Sequence, residues 1–308
     1  MKVSTLIRTS TYLVILLSIA SCDPKEKVRN GKLNVVTTTG MIYDAVINIG
    51  QNRVDAQALM GPGVDPHLYK ATQGDLSKLQ NADLVFYNGL HLEGKMGEVF
   101  EKLGRIKHVK AVSSNIPDSM FRESEVYKGT FDPHIWFDVS LWKSAVQNVA
   151  TTLSQLDSTN ATFYNQNATI YLSQLDSLHD ATKTAIQKIP EAQRVMITAH
   201  DAFGYFGEAY QIEVIGLQGI STLSEPGLKD IASLVNLIVD RQIKAVFIET
   251  SVSKKAINAV VEGCNQKGHQ VAIGGSLYSD AMGPVGEFEG TYIGMVGTNV
   301  ETLVNALK

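Results

Sequence analysis

The chain carries 7 histidines, and the settings of His67, His134 and His200 suit metal chemistry. His67 lies in Gly61-Pro-Gly-Val-Asp-Pro-His67, a turn-rich loop after an apolar run. His134 lies in Asp132-Pro-His134-Ile-Trp-Phe-Asp138, and His200 in Thr198-Ala-His200-Asp201-Ala-Phe-Gly. Asp280 ends Ser276-Leu-Tyr-Ser-Asp280. Each follows the carboxyl end of a predicted strand, the edge at which open α/β sheets bind ligands. Neutral imidazoles and a carboxylate are transition-metal ligands. A monodentate aspartate would complete a tetrahedral set that suits Zn²⁺, and a bidentate one adds a further oxygen, which Mn²⁺ accepts more readily. Catalytic zinc keeps a position open for water, and four protein ligands leave little room for it. The set therefore favours binding over hydrolysis. The residues are far apart in sequence, and a lone histidine is ordinarily a structural hydrogen-bonder. Whether they act together depends on the elements that carry them.

Those elements alternate short apolar runs with longer amphipathic stretches, the pattern of a parallel α/β fold. One group of predicted strands is Leu33–Thr38, Val54–Met60, Asp83–Tyr87 and His108–Val112. A second is Arg194–Thr198, Glu213–Leu217, Ala245–Glu249 and Gln270–Ile273. The pattern predicts two α/β lobes, each a roughly four-stranded parallel sheet flanked by helices. Between the groups, Tyr164, Ala168, Tyr171, Leu172, Leu175, Leu178, Ala181 and Ile186 recur at helical spacing. They predict a helix over about 159–188 that runs along both lobes as a stiff spine, capped by Asp157 or Ser158. A bent pair of helices inside one domain fits the same residues. Two candidates for the site come from each lobe, which puts the site where the lobes meet.

Composition narrows the function classes. The 308 residues are 44% hydrophobic and 19% charged, with a formal net charge of −4. These values exclude disorder and a strongly basic nucleic-acid groove. The 2 cysteines are too few for a disulfide scaffold or a cysteine-rich zinc site. Lys2 and Arg8 precede an apolar stretch, Tyr12–Ala20, which is too short to span a membrane. Ile19-Ala20-Ser21-Cys22 resembles a bacterial lipobox, in which the chain is cut before the cysteine and the cysteine is acylated. The mature chain would then have 308 − 21 = 287 residues. Residues 1–21 are read as a signal peptide, 22–31 as a tether, 32–158 as the first lobe, 159–189 as the linker helix and 190–308 as the second lobe. Cys264 is left without a partner and is expected to be buried and reduced.

Several segments together carry a family resemblance: Gly63-Val-Asp-Pro-His67, Asn88-Gly-Leu-His-Leu-Glu93, Asp132-Pro-His134-Ile-Trp136, Thr198-Ala-His200-Asp-Ala-Phe-Gly-Tyr-Phe206, Ile220-Ser-Thr-Leu-Ser-Glu225 and Tyr278-Ser-Asp280. Over nearly the whole mature length the chain resembles the metal-binding lipoproteins of bacterial ABC importers for zinc and manganese, the cluster A-I solute-binding proteins. The resemblance implies two lobes joined by one long backbone helix, with a metal bound between them by His67, His134, His200 and Asp280. It implies Zn²⁺ or Mn²⁺ as cargo, with Fe²⁺ also known as a proposal for relatives. It implies a membrane permease with a cytoplasmic ATPase as partners, and an extracytoplasmic monomer anchored by lipid on Cys22. Two departures bear on cargo. Ser113–Phe131 contains no histidine, unlike the His-rich loop of many zinc members, and His200 stands where manganese members often have glutamate.

Glu249, at a strand end on the same edge, is expected to accept a ligand histidine's N–H. Asp65, Asp201 and Glu225 are candidates for the same role. His91, His108, His179 and His269 read as structural or exposed. The rival readings are a surface adhesin of the same fold, a zinc-dependent hydrolase and a receptor for a chelated metal. No Ser-centred nucleophile elbow or H-E-x-x-H motif supports the hydrolase.

Overall fold

The computed structural model describes residues 31–124 and 129–308. The signal segment 1–21 and Cys22 lie outside the described residues. The first lobe is a parallel sheet of β1 (Leu33–Thr37), β2 (Val54–Ala58), β3 (Leu84–Tyr87) and β4 (His108–Ala111), in the order β2-β1-β3-β4. Its flanking helices are α1 (Gly40–Gly50), α2 (Gln73–Asn81) and α3 (Gly97–Gly104). β1 is buried on both faces except at its first residue, as its unbroken Val-Val-Thr run demands. The Thr72 side chain and Asp75 form a reciprocal capping box at the start of α2.

Two helices follow, α4 (Val139–Leu156) and α5 (Ala161–Ile186). The Asp138 carboxylate caps α4 by accepting from the N–H groups of Ser140 and Leu141. α5 has 26 residues, about 39 Å at 1.5 Å per residue. Its buried stripe is Tyr164, Ala168, Tyr171, Leu175, Thr182 and Ile186. Of the other predicted positions Leu172 and Leu178 are half-buried, and Ala181 is exposed because Thr182 turns inward in its place. The start of α5 differs from expectation. Neither Asp157 nor Ser158 caps it: a 3-10 turn occupies Ser158–Asn160, and Asn160 is the cap residue. Asp157 instead accepts from the Tyr164 hydroxyl and the Asn160 amide, so it braces the turn from outside.

The second lobe holds β5 (Val195–His200), α6 (Gly204–Tyr210), β6 (Glu213–Gln218), α7 (Leu228–Asp240), β7 (Ala245–Glu249), α8 (Lys255–Gln266), β8 (Ala272–Leu277) and α9 (Tyr292–Leu307). Its strands form two parallel ladders, β5–β6 and β7–β8. β5 packs beside β7, yet among the described residues no ladder joins them. Apolar runs specify strands, whereas the lateral spacing that closes a ladder is set by packing. β8 also runs further than predicted, to Leu277, through Gly274 and Gly275. Their missing side chains admit Phe247, Ala306 and Thr302, which a Cβ at either position would strike within 3 Å.

One apolar cluster runs from α1 and the first sheet through α4, α5 and α9 to β5 and α6. Smaller clusters lie on the outer side of each lobe. Cys264 is buried and free in the second-lobe cluster, as expected. The spine thus shares one core with both lobes, and no helix among the described residues is long and apolar enough to cross a membrane. Leu175, fully buried on α5, fixes the middle of this core. Leu175→Ala should cost about 2–5 kcal/mol of unfolding free energy in urea titration, as for other buried leucines. A loss below about 1 kcal/mol would show that the spine is not packed as described.

Candidate metal centre

The four predicted positions converge from four strand ends. His67 lies on the loop after β2, His134 after β4, His200 is the last residue of β5, and Asp280 follows β8. All four are buried, between 0% and 4% exposed. Local sequence aims them. Asp65 accepts from the backbone N–H of His67 at 2.8 Å and of Leu68 at 3.3 Å. Asp132 accepts from the N–H of His134 at 2.9 Å. Each Asp-Pro-His is therefore an Asx-type turn that presents its histidine inward.

Donor atoms of the four residues lie within 4.8 Å of one another. Nε2 of His67 is 3.3 Å from Nε2 of His134 and 3.7 Å from the Asp280 carboxylate. Nε2 of His134 and of His200 stand 3.4 Å and 3.2 Å from that carboxylate. A tetrahedron with metal–ligand bonds of about 2.1 Å has edges of about 3.4 Å. The spacing therefore fits a small divalent ion. So does the chemistry: Nε2 of His200 and both oxygens of Asp280 are buried with no hydrogen-bond partner among the described residues. Unpaired buried polar atoms are costly and call for a ligand.

The outer nitrogens of two rings meet carboxylates. His134 Nδ1 lies 2.7 Å from Asp132 Oδ1. His200 Nδ1 lies 2.5 Å from Glu249 Oε2, and the His200 N–H donates to Glu249 Oε1 at 2.9 Å. These contacts orient the rings so that Nε2 faces the centre. Glu249 thus sits where expected, at the end of β7, and links β7 to β5. Asp65 takes a different place from the one expected. It holds backbone N–H groups and, from the second lobe, the Thr222 hydroxyl at 2.6 Å. Asp201 is half-buried, near Arg122 and Asp132. Glu225 is exposed, because its loop turns Thr222 inward instead.

Sequence reasoning missed Asp132 as a support. Its signal was the repeat of Asp-Pro-His at both first-lobe histidines. A second missed group is Glu93, fully buried, which accepts from the Thr38 hydroxyl at 2.6 Å and the Asn88 N–H at 2.8 Å. Asn88 in turn donates to the Pro133 carbonyl at 3.0 Å, beside His134. The turn between them has three successive left-handed residues, Gly89, Leu90 and His91. His91 itself is exposed.

The centre is electrostatically tense without a cation. Burial pushes His67 down to about 3, against the pull of Asp280. Burial also opposes a charge on His134, but Asp132 and Asp280 outweigh it and raise the imidazole to about 9. His200 is raised well above its ordinary range because Glu249 and Asp280 outweigh its burial. Burial would raise Asp280, yet the facing histidines hold its carboxyl well below the usual range. The surrounding acids thus favour positive charge at the centre.

The fold and the site define a class: a two-lobed receptor that gathers four donors from strand ends of both lobes and encloses them. The chain belongs to the family described as zinc-uptake complex component A periplasmic (ZnuA), which matches residues 35–306. It is 49% identical over 297 residues to the manganese-binding lipoprotein MntA of Bacillus subtilis, covering 96% of this chain and 97% of that one. It is 50% identical over 283 residues to the zinc-binding protein TroA of Treponema pallidum, covering 92% and 91%. The solved structure of that periplasmic zinc-binding protein superposes with a TM-score of 0.88, covering 90% of this chain and 99% of that one. Members of the family are extracytoplasmic substrate receptors of metal ABC importers, not enzymes. They work with a permease and its ATPase.

A pH effect follows from His134. An unfolded imidazole titrates near about 6.5, and the folded one near about 9. The folded state holds this proton more tightly, so its stabilising contribution is complete below about 6.5 and is lost as pH rises through about 9. Calorimetry of the metal-free chain should show Tm falling from about pH 7 to about pH 10, with a smaller fall in His134→Gln. An identical fall in both proteins would contradict the assignment of the proton.

Proposed function

We propose that His67, His134, His200 and Asp280 hold one divalent transition-metal ion, zinc or manganese, as the cargo of the importer. The observation that carries this reading is the sealed Asp280 carboxylate, without a hydrogen-bond donor and faced by imidazole Nε2 atoms. Four protein donors fill a tetrahedral shell, which leaves no position for the bound water a hydrolase needs. Fe²⁺ suits the same nitrogen and oxygen donors. The names of the two relatives at about half identity point to different metals, manganese for one and zinc for the other. The Irving–Williams order predicts that zinc binds more tightly whatever the cell imports.

Delivery requires the lobes to part at their shared face. There the Trp136 indole donates to the Ser279 carbonyl at 3.0 Å, the Tyr292 hydroxyl to the Trp136 carbonyl at 2.7 Å, and Thr222 to Asp65. The spine within the common core supports small tilts over wide hinge opening. Residues 1–21 direct export, lipid on Cys22 anchors the chain, and residues 22–31 tether it beside the permease as a monomer. Lipid attachment raises the local concentration of receptor at the membrane.

The test is calorimetric titration with Zn²⁺ and Mn²⁺, alone and in competition, on the parent and His67→Ala. The parent should bind one ion, zinc at least about tenfold more tightly than manganese. His67→Ala should lose most of its zinc affinity and its metal-dependent rise in Tm. Unchanged zinc binding in that variant would overturn the site.

A further inference from the structure

We infer that Arg122 is a positioning residue through which the second lobe fixes the ligand His134, an inference that rests on the metal-receptor reading above. Arg122 belongs to the first-lobe segment between β4 and α4. Its guanidinium donates through Nη1 to Asp132 Oδ2 at 2.9 Å and through Nε to Glu208 Oε1, on α6 of the second lobe, at 2.7 Å. Asp132 uses its other oxygen for Nδ1 and the backbone N–H of His134. The chain of contacts runs Glu208, Arg122, Asp132, His134, from a residue 66% exposed to residues fully buried.

The same joint has a second layer. The Tyr205 hydroxyl, also on α6, donates to the Asp132 carbonyl at 2.9 Å and accepts from the Arg122 N–H at 3.0 Å. Gly204 opens α6 for this contact: a Cβ there would lie 1.5 Å from Arg122 Nη1. No other side chain at 204 lets the guanidinium lie where it does. Charge balance explains why an arginine is needed. Asp132 is fully buried, and His134 alone would have to neutralise it. A bidentate cation reaching two carboxylates from two lobes is a role for a guanidinium fork.

Movement of α6 away from the first lobe breaks the Arg122–Glu208 contact, loosens Asp132 and lets the His134 ring turn from the metal. Lobe separation and loss of one ligand thus become a single event.

The experiment uses Co²⁺ as a coloured tetrahedral probe on the parent chain, Arg122→Gln, Arg122→Lys and Glu208→Gln. Visible absorption reads the ligand geometry, chelator competition the affinity, and stopped-flow chelation the release rate. Circular dichroism melting checks that each variant is folded. Arg122→Gln should bind cobalt at least about tenfold more weakly, with an altered spectrum, as for other losses of a ligand's outer partner. Arg122→Lys, which reaches one carboxylate, should recover part of both. Glu208→Gln should keep the parental spectrum and release cobalt several-fold faster. Parental affinity and spectrum in Arg122→Gln would overturn the inference, and so would a parental release rate in Glu208→Gln. If Arg122→Gln does not fold, the release rate of Glu208→Gln alone decides. A parent chain that binds no cobalt would instead refute the metal-receptor reading itself.

Discussion

A carboxylate sealed from water without a hydrogen-bond donor is hard to keep in a protein, and Asp280 is in that position. Removing an ion from water costs several kcal/mol even after relaxation. The surroundings answer that cost with three imidazoles. His134 and His200 are each also backed by a second acid, Asp132 or Glu249, and these acids with Asp280 shift both imidazoles toward the charged form. A divalent cation at the centre would supply that positive charge and satisfy Asp280 directly. Ion capture and proton release are therefore two sides of one electrostatic exchange. The four donors, the two backing acids and the burial make sense together and not separately.

The scaffold serves this constraint by bringing strand ends from two lobes to one point and holding them there. β2 and β4 supply loops, β5 ends in His200, and the turn after β8 supplies Asp280. One apolar core, strung along α5, ties both lobes to the spine. The lobes also meet through a few polar contacts: Thr222 with Asp65, Tyr292 and Ser279 with Trp136, and Arg122 with Glu208. Hydrogen bonds of this kind are individually modest, whereas the apolar core runs unbroken along the spine into both lobes.

Much of this was legible in the sequence, because apolar runs and helical spacing are local signals. All eight predicted strands appear, and α5 falls within two residues of each predicted end. The His67, His134, His200 and Asp280 positions were readable from their place after strand ends, and the family resemblance joined them. What was not legible depended on three-dimensional spacing. The gap between β5 and β7 leaves two ladders rather than one sheet. Asp157 could not be told from a helix cap without knowing where Tyr164 would point. Asp65 and Asp132 share the same Asp-Pro-His wording, yet only Asp132 backs the ring of its histidine, while Asp65 reaches across to Thr222. Glu225 fails to reach the centre because its loop commits Thr222 to that side. Arg122 had no local signal, since its meaning lies in Gly204 and Glu208, far along the chain.

The most direct measurement is zinc K-edge X-ray absorption on the purified, zinc-loaded chain. The account predicts a first shell of three imidazole nitrogens and one or two carboxylate oxygens at about 2.0–2.2 Å, with the outer-ring scattering that marks histidine. A shell containing sulfur at about 2.3 Å, or oxygens alone without imidazole scattering, would contradict it.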